Sequence, residues 1–240
     1  MGAPEPGKTA LLAAALADAV AGSRTIAVGG NSPLPAAAAL LAEHRSGGAM
    51  TISILGSQNH SPFTDGGREL FDFAAQGRLD SFFLGGGQID GTGNVNLVRA
   101  GGRRFPGNYG SPYLMALVPN VVLFREEHSR RVLVPRVEYV SARGDGPAGA
   151  FRTGGPRTLV TGRAVFRFEN GGFVLASVHP GEEIDGIRAE TGFDFTVAAD
   201  IRTTPTPSDD EVVLLHGPIA DALAPLYPRF VSRLRRGSHA

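Results

Sequence analysis

The sequence predicts an α/β protein with an open, largely parallel sheet flanked by helices, followed by a C-terminal β-hairpin and further helices. Two observations support this prediction. Between residue 9 and about residue 140, short apolar runs rich in β-branched residues alternate with helix-like segments, as in βαβ units. The pattern then changes to two strand-like runs separated by ENGG at residues 169–172, which is typical of a hairpin turn.

The first half of the chain contains the alternating elements. The Ala/Leu-rich segment within residues 1–22 could pass for a signal peptide, but Asp18 interrupts it and its residues fit an amphipathic pattern, so we predict a first helix. The predicted strands cover residues 25–28, 50–55, 81–84 and 121–125, with one or two more within 131–140. The predicted helices cover residues 35–45, with Asn31 or Ser32 as cap and a proline in the first turn, and residues 68–76.

The second half is predicted to be antiparallel and then helical. Runs at residues 158–168 and 173–178 flank the hairpin turn, and residues 182–190 form a short helix closed by Gly192. A last helical region begins near residues 205–211, with Ser208 as cap. The Gly/Pro-rich stretch 143–156 is expected to be an excursion, so we predict a single domain over residues 1–240.

Composition excludes several classes of function. The 23 basic and 23 acidic residues give a formal net charge of zero, so neither nucleic acid nor an anionic membrane is an expected partner. Lys8 is the only lysine, which removes the interior lysine needed for a Schiff base or a P-loop. Cysteine is absent, which excludes disulfides, thiol nucleophiles, iron–sulfur clusters and cysteine-ligated zinc. No apolar stretch approaches the ~20 residues of a membrane span, and we expect a cytoplasmic protein.

Histidines do not suggest a metal site, because no pair has helical spacing with a nearby carboxylate. His179 precedes a proline at a strand end, where we expect a structural role. The mixed charges of residues 126–131 suit a solvated turn or a subunit contact.

Polar loops follow the predicted strands, where open α/β sheets bind their ligands. The strand at 50–55 runs into GSQNHSP at residues 56–62, and the strand at 81–84 runs into GGGQIDGTGNVN at residues 85–96. Five glycines among the first nine residues of the latter allow a close backbone approach. The spacing matches neither a Rossmann fingerprint nor a Walker loop.

The run FLGGGQIDGTGNVN at residues 83–96 resembles the GGxQxDxxGNVN segment of the small, or β, subunit of family I coenzyme A-transferases, especially glutaconate CoA-transferase. RFPGNYG at 104–110 is similar to the family's oxyanion loop, and VEYVS at 137–141 to its DYVTS strand. VHPG at 178–181 and TGF at 191–193 resemble the end of the family pattern. The resemblance spans roughly residues 10–215, the expected core.

The resemblance implies a heterodimer or heterotetramer with a homologous α subunit and an acyl-CoA substrate, with no metal cofactor. Asn59 and His60 are implied as candidates for orienting substrate or water. The implied residues for binding substrate or coenzyme A are Gly56, Ser57, Gln58, Gly86, Gly87, Gln88, Asp90, Asn94, Asn96, Gly107, Asn108, Gly110 and Ser111.

One position departs from the family pattern. The transferases place a nucleophilic glutamate at the end of the second strand, where this chain has Ile54. The words GNYGSP at 107–112 and SVHPG at 177–181 resemble instead the CoA-thioester ring hydrolases of bacterial steroid degradation, whose catalytic carboxylate belongs to the α subunit.

Three functions remain open at this point. The first is the β subunit of an enzyme that acts on an acyl-CoA by hydrolysis or C–C ring opening. The second is a subunit of a true acyl-CoA:carboxylate CoA-transferase whose nucleophile lies elsewhere. The third is a non-catalytic scaffold that completes the partner's pocket.

Overall fold

The structure is a computed structural model that describes residues 7–146 and 149–236. The helices are α1 Lys8–Asp18, α2 Pro33–Arg45, α3 Gly67–Ala75, α4 Ser111–Leu117, α5 Ile184–Glu190, α6 Asp209–Leu214, α7 Ala220–Leu223 and α8 Pro228–Arg236, with a π-helical turn at Leu215–Ile219 between α6 and α7.

The strands are short, and five of them contain only two or three residues. In chain order they are β1 Thr25–Val28, β2 Thr51–Ile54, β3 Ser81–Gly85, β4 Gln88–Asp90, β5 Val95–Asn96, β6 Arg99–Ala100, β7 Arg103–Arg104, β8 Asn120–Arg125, β9 Leu133–Val134, β10 Pro156–Thr161, β11 Ala164–Glu169, β12 Gly172–Val178 and β13 Thr196–Thr203.

These elements belong to two compact units. The first lies within Met1–Leu70 and Pro205–Ala240, and the second is Phe71–Thr204. The single domain over residues 1–240 stays a prediction.

The first unit contains a parallel strand pair, β1 and β2, in register from Thr25↔Thr51 to Val28↔Ile54. Helices α1 and α2 pack against each other, and the alanines that fill their buried faces permit a close approach. Arg45 joins α2 to its neighbours through ion pairs with Asp18 (2.8 Å) and Glu211 (2.6 Å). The hydrogen bond from Arg45 lowers the pKa of the Glu211 carboxyl, so the pair is charged at neutral pH.

Two helix starts test the capping predictions. Ser208 and Glu211 form a capping box, in which the Glu211 N–H donates to Ser208 Oγ and the Ser208 N–H donates to the Glu211 carboxylate, as the first-turn pattern predicts. Ser32 occupies the cap position of α2, but its side chain makes no capping bond and instead donates to Gly30 O. The predicted side-chain cap of α2 is therefore wrong, whereas the predicted proline, Pro33, does open the helix.

The second unit is built on a sheet in which β13, β12, β11, β10, β8 and β3 lie side by side. β3 pairs with β8, β8 with β10 and β12 with β13 in parallel, whereas β11 is antiparallel to both neighbours. The predicted hairpin joins β11 to β12, and Asn170 and Gly171 have φ of 52° and 79°, as a primed turn requires. The fold class predicted from the sequence is confirmed.

The pattern at residues 131–140 predicts one or two strands, and one forms, the short β9 at Leu133–Val134. Pro135 has no N–H to continue a ladder. The N–H of Val137 donates to Asp90 Oδ2 (3.2 Å), and that of Glu138 donates to Gln88 Oε1 (3.0 Å). Side chains of β4 therefore take the backbone donors that a strand would need.

Two further predictions need correction. The run at 158–168 forms two strands because the Thr161 hydroxyl accepts the N–H groups of Arg163 and Ala164 and turns the chain. Gly192 is not a left-handed helix stop: its N–H donates to Leu133 O (2.8 Å), and a Cβ there would lie 2.3 Å from that oxygen. Glycine is needed at this position for a close approach to β9.

The predicted excursion at 143–156 lies within the second unit. Arg152 holds it in place by donating to the carbonyl oxygens of Met115, Arg143 and Asp145. Among the described residues, no helix combines the length and the apolar character that crossing a membrane requires.

Candidate functional site

The glycine-rich segment 85–96 folds back on itself as the antiparallel pair β4 and β5. A methyl group on Gly86 would lie 2.4 Å from Val95 Cγ1, and one on Gly87 would lie 2.1 Å from Phe105 Cε2. Both distances are far inside van der Waals contact, so the protein's own side chains require glycine at these positions. Contact of Gly86 and Gly87 with a ligand stays a prediction.

Buried amide side chains fix the path of the chain around β4. Gln88 Nε2 donates to Glu138 Oε1 (3.0 Å), and Gln88 Oε1 accepts from Asn96 Nδ2 (2.8 Å). Asn96 is 0% exposed; it also donates to Arg99 O (2.7 Å) and accepts from the Val98 N–H (3.0 Å). Both donors of the Asn96 amide are thus used inside the protein, and these two amides shape the segment whether or not a ligand contacts it.

The Asp90 carboxylate organises the turn between β4 and β5. Its Oδ1 accepts from the N–H and the hydroxyl of Thr92 (3.1 and 2.8 Å) and from the Asn94 N–H (3.1 Å). Its Oδ2 accepts from Asn94 Nδ2 and from the Val137 N–H, both at 3.2 Å. Asn94 Oδ1 in turn accepts from the Gly144 N–H (3.1 Å). These contacts join three segments of the second unit.

The loop at 105–111 differs because it leaves hydrogen-bond donors unused. Gly107 has φ of 104°, and a Cβ there would find no atom within 4 Å. Its N–H donates to Leu97 O (3.0 Å), but the next three N–H groups, of Asn108, Tyr109 and Gly110, make no hydrogen bond within residues 7–146 and 149–236. Successive unpaired N–H groups can stabilise a developing oxyanion.

Aromatic packing supports this loop. Tyr109 has φ of 42° and is 78% exposed, and its ring centroid lies 5.4 Å from that of Phe71. A Cβ on Gly110 would lie 2.1 Å from the Phe71 ring. Ser111 opens α4, and its N–H donates to Asn108 O (2.8 Å). The loop is held from the Phe71 side and is open at Gly107.

Arg125 is a candidate that the sequence did not reveal. It ends β8, next to Phe124, which pairs with Gly85 at the start of the glycine-rich segment. Its Nε is buried and has no hydrogen-bond partner among the described residues, and its Nη2 lies 4.0 Å from the Glu127 carboxylate. A guanidinium with an unused donor at the carboxyl end of a parallel strand can bind an anionic group. The available signal was a charged residue directly after the apolar run at 121–124.

In the first unit, Ile54 belongs to the buried apolar core. The side chain is 0% exposed at the end of β2, in the position where the family resemblance places a nucleophilic glutamate. No carboxylate replaces it at this position.

The polar loop after β2 closes on itself through backbone contacts. The Ile54 N–H donates to His60 O (2.6 Å), and the His60 N–H donates to Ser57 Oγ (3.2 Å). The loop also contains Gly56, Gln58 and Asn59. The predicted site residues thus fall into a group at 56–60 in the first unit and a group at 86–111 in the second.

His128 is held in a threonine-lined position of the second unit. Its ring nitrogens contact Thr161 Oγ1 (2.8 Å) and Thr191 Oγ1 (3.0 Å). Burial lowers the pKa of His128 to about 4, and the nearby Arg163 and His179 also lower it, against the opposite effects of the Ile187 backbone and Glu182. The ring is therefore neutral at neutral pH.

His179 is buried and belongs to the same polar cluster. Its Nε2 donates to Thr161 O (2.9 Å), and its Nδ1 forms a hydrogen bond with Thr204 Oγ1 (2.9 Å). The Thr204 hydroxyl is also 2.7 Å from Ser177 Oγ. These contacts connect β10, β12 and the end of β13, as a structural histidine would.

A sequence profile described as coenzyme A transferase matches residues 5–190, well over half of the chain. The chain belongs to the coenzyme A transferase family. The family membership expected from residues 83–96 and the later motifs is thereby confirmed. In the described parts of this family member, no group of three or more histidine, aspartate or glutamate residues is arranged to hold a metal ion.

Curated relatives with similar sequences differ in activity. The chain is 32% identical over 161 residues to the cholesterol ring-cleaving hydrolase IpdB subunit of Rhodococcus jostii, covering 62% of each protein. It is 28% identical over 161 residues to the B subunit of 3-oxoadipate CoA-transferase from Pseudomonas knackmussii, covering 61% of this chain and 62% of that one. Each match spans less than two thirds of the relative.

Solved structures match over nearly the whole chain. The decarboxylase AibA/AibB superposes with a TM-score of 0.78 at 24% identity, covering 96% of this chain and 99% of the other, a likeness of fold alone. Rhodococcus jostii IpdAB gives a TM-score of 0.75 at 25% identity, covering 94% and 97%.

Proposed function

We propose that this chain is the β subunit of a heteromeric enzyme that acts on an acyl-CoA by hydrolysis or C–C ring opening, with the catalytic carboxylate on a homologous α subunit. The observation that carries the proposal is the fully buried Ile54 at the end of β2. An alkyl side chain cannot form the acyl anhydride by which a glutamate nucleophile of this family would begin CoA transfer.

The comparisons support a partner and a hydrolytic reaction. The IpdB relative is a subunit of a ring-cleaving hydrolase, and the matching structure is that of IpdAB. By analogy, we propose that this chain pairs with an α subunit and that the isolated chain has negligible turnover.

The proposed chemistry divides the work between the two subunits. A carboxylate of the partner removes a proton from water, and the resulting hydroxide oxygen bonds to a ring carbonyl carbon of the acyl-CoA. The adjacent C–C bond then breaks, and the released carbon takes up a proton. The unpaired N–H groups of Asn108, Tyr109 and Gly110 are the donors that this chain would offer to the oxyanion.

Arg125 would serve a separate purpose in this proposal. Its buried Nε lacks a partner among the described residues, so an anionic group of the substrate would satisfy a donor that the protein leaves unpaired. Arg125→Lys in the assembled enzyme should therefore raise KM, because a lysine keeps the charge but loses the planar fork. Arg157→Lys, which changes an exposed arginine of β10, is the matched control.

An isotope experiment tests the reaction type. The chain is co-purified with its proposed α subunit and incubated with acyl-CoA, a free acid, labelled CoA and isotopically labelled water. We expect label from water in the product carboxylate and no exchange of CoA between acids. Fast CoA exchange without net hydrolysis would refute the proposal.

That refuting outcome is also the signature of a second candidate, a subunit of a true CoA-transferase. The observation that favours it is the similarity to a 3-oxoadipate CoA-transferase. Its nucleophile would have to lie elsewhere than position 54.

A scaffold role is the third candidate, and the internal bonding of Gln88, Asp90 and Asn96 favours it. Asn59→Ala and Asn108→Ala in the reconstituted complex separate this role from a direct one, since neither amide side chain forms a hydrogen bond within the described residues. A loss of turnover would refute a purely structural role, whereas unchanged turnover would exclude a direct role for these two side chains and leave only the backbone N–H groups of the loop 107–110 to act directly. Gln76→Ala, at an exposed position after α3, controls for the loss of a polar surface side chain.

A further inference from the structure

A small hairpin, β6 and β7, carries three exposed arginines: Arg99, Arg103 and Arg104. Its two-residue turn consists of Gly101 and Gly102, with φ of 52° and 77°, as a primed turn requires. Arg99 and Arg103 lie outside the motifs that carry the family resemblance, and the proposed chemistry uses none of the three arginines.

The charges that face each other across this hairpin have the same sign and repel each other. Arg99 lies directly across from Arg104, so both side chains emerge from the same face of the ribbon. Like charges in directly opposite positions destabilise a strand pair. None of the three arginines forms an ion pair with any residue that the structure describes. The arrangement favours binding of an anion from outside the chain.

The protein also holds this hairpin firmly. The buried amide of Asn96 binds the backbone of Arg99 from two sides: it donates to Arg99 O (2.7 Å) and accepts from the Arg99 N–H (3.3 Å). At the turn, the Gly101 N–H donates to the carboxylate of Glu138, 3.1 Å from each oxygen. A rigid support lowers the ordering cost when the hairpin binds a ligand.

We infer that the Arg99–Arg104 pair binds the phosphate groups of the coenzyme A thioester. This inference rests on the proposed function, which makes an acyl-CoA the substrate. Guanidinium groups form paired, charge-assisted hydrogen bonds with phosphate oxygens. Two arginines on one face, with Cβ atoms about 5 Å apart as expected for opposite residues, can bracket neighbouring phosphates.

The path of the chain connects the two ends of such a ligand. Beyond the hairpin the ribbon continues, because the Phe105 N–H donates to Val98 O (2.8 Å) and the Gly107 N–H donates to Leu97 O (3.0 Å). Three extended residues from Arg104 to Gly107 span about 10 Å. A positive tip and a loop with free N–H groups thus lie on one continuous ribbon, so that one long ligand with a thioester carbonyl at one end and phosphates at the other can contact both.

Binding measurements on the assembled α/β complex test the inference. Three ligands are compared by calorimetry: coenzyme A, 3′-dephospho-CoA and S-acetylpantetheine, which has no phosphate. The Arg99→Gln/Arg104→Gln double variant should bind coenzyme A about 10-fold to 100-fold more weakly, as expected for the loss of charge-assisted hydrogen bonds. Its affinity for S-acetylpantetheine should be unchanged. The Arg157→Gln/Arg167→Gln double variant, which loses the same charge from β10 and β11, should bind all three ligands like the wild type.

Each other outcome has a distinct meaning. Wild-type affinity for coenzyme A in the double variant would overturn the inference and leave the proposed function standing. Failure of the wild-type complex to bind any of the three ligands would overturn the proposed function itself. Separation of the double variant's subunits on size exclusion would overturn the inference by showing that the hairpin is a subunit contact. Unfolding is not expected, because the variant removes a like-charge repulsion.

Discussion

The two glycine-rich segments of the second unit use glycine for opposite purposes. In the segment 85–96, Gly86 and Gly87 make room for Val95 and Phe105, and the polar side chains bond to one another. In the loop 105–111, Gly107 faces open space, and the following N–H groups are unpaired among the described residues. A glycine-rich sequence therefore does not by itself indicate a ligand cradle. The unsatisfied donors of the second segment are the feature that a ligand can use.

The largest expected effect is a loss of stability when the hydrogen bonds of the segment 85–96 are removed. Asp90→Ala should lower the free energy of unfolding by about 4 kcal/mol, because several donors in a buried turn lose their charged acceptor. Urea denaturation measures the change. Asn108→Ala in the open loop is the matched comparison and should change stability by less than about 0.5 kcal/mol. Equal losses in the two variants would contradict the distinction between the segments.

A second prediction tests the packing role of glycine. Gly86→Ala should cost about 3 kcal/mol, since the new methyl group meets the fully buried, stiff side chain of Val95. Gly102→Ala has a positive φ but open space and should cost only about 1 kcal/mol. The double variant Gly86→Ala/Val95→Ala should recover part of the loss relative to the sum of the single changes. Strict additivity would show that the two side chains do not compete for the same space.

Lowering the pH should destabilise the fold through His128, which lies outside both glycine-rich segments and therefore serves as a control. His128 has a folded pKa of about 4 against an ordinary value of 6.5. Between these values the unfolded chain takes up a proton that the folded protein does not, so stability falls as pH is lowered. The loss should be at most about 3 kcal/mol. Urea titrations from about pH 7 to about pH 5 should show a smaller pH dependence for His128→Gln than for wild type. The cost of Gly86→Ala should be the same at both pH values.

The smallest expected effect concerns Tyr109 in the open loop. Its left-handed backbone is strained for a tyrosine, so Tyr109→Gly should relieve up to about 1 kcal/mol of strain, offset in part by lost contact with Phe71. Thermal unfolding should therefore change little. Turnover of the assembled enzyme should fall, because glycine loosens the N–H groups proposed to meet the oxyanion. Tyr139→Gly, at a tyrosine that is 47% exposed, is the control.

Features that depend on local chemistry could be predicted from the order of the residues. The apolar runs of β1, β2, β3 and β8 form strands as predicted. The Asn-Gly turn of the β11–β12 hairpin and the capping box of α6 also follow from residues a few positions apart. The family could be recognised from short sequence motifs that follow one another along the chain, and this required no knowledge of which motifs contact each other.

Which polar groups are used internally, and which are left free, depends on contacts that form only on folding. Residues 131–140 have the pattern of a strand, but Gln88 and Asp90, more than forty positions earlier, take their N–H groups. The unpaired Nε of Arg125 and the facing charges of Arg99 and Arg104 were invisible for the same reason. A hydrogen bond or a repulsion is a property of two groups brought together by folding, and the identity of one residue does not reveal its partner.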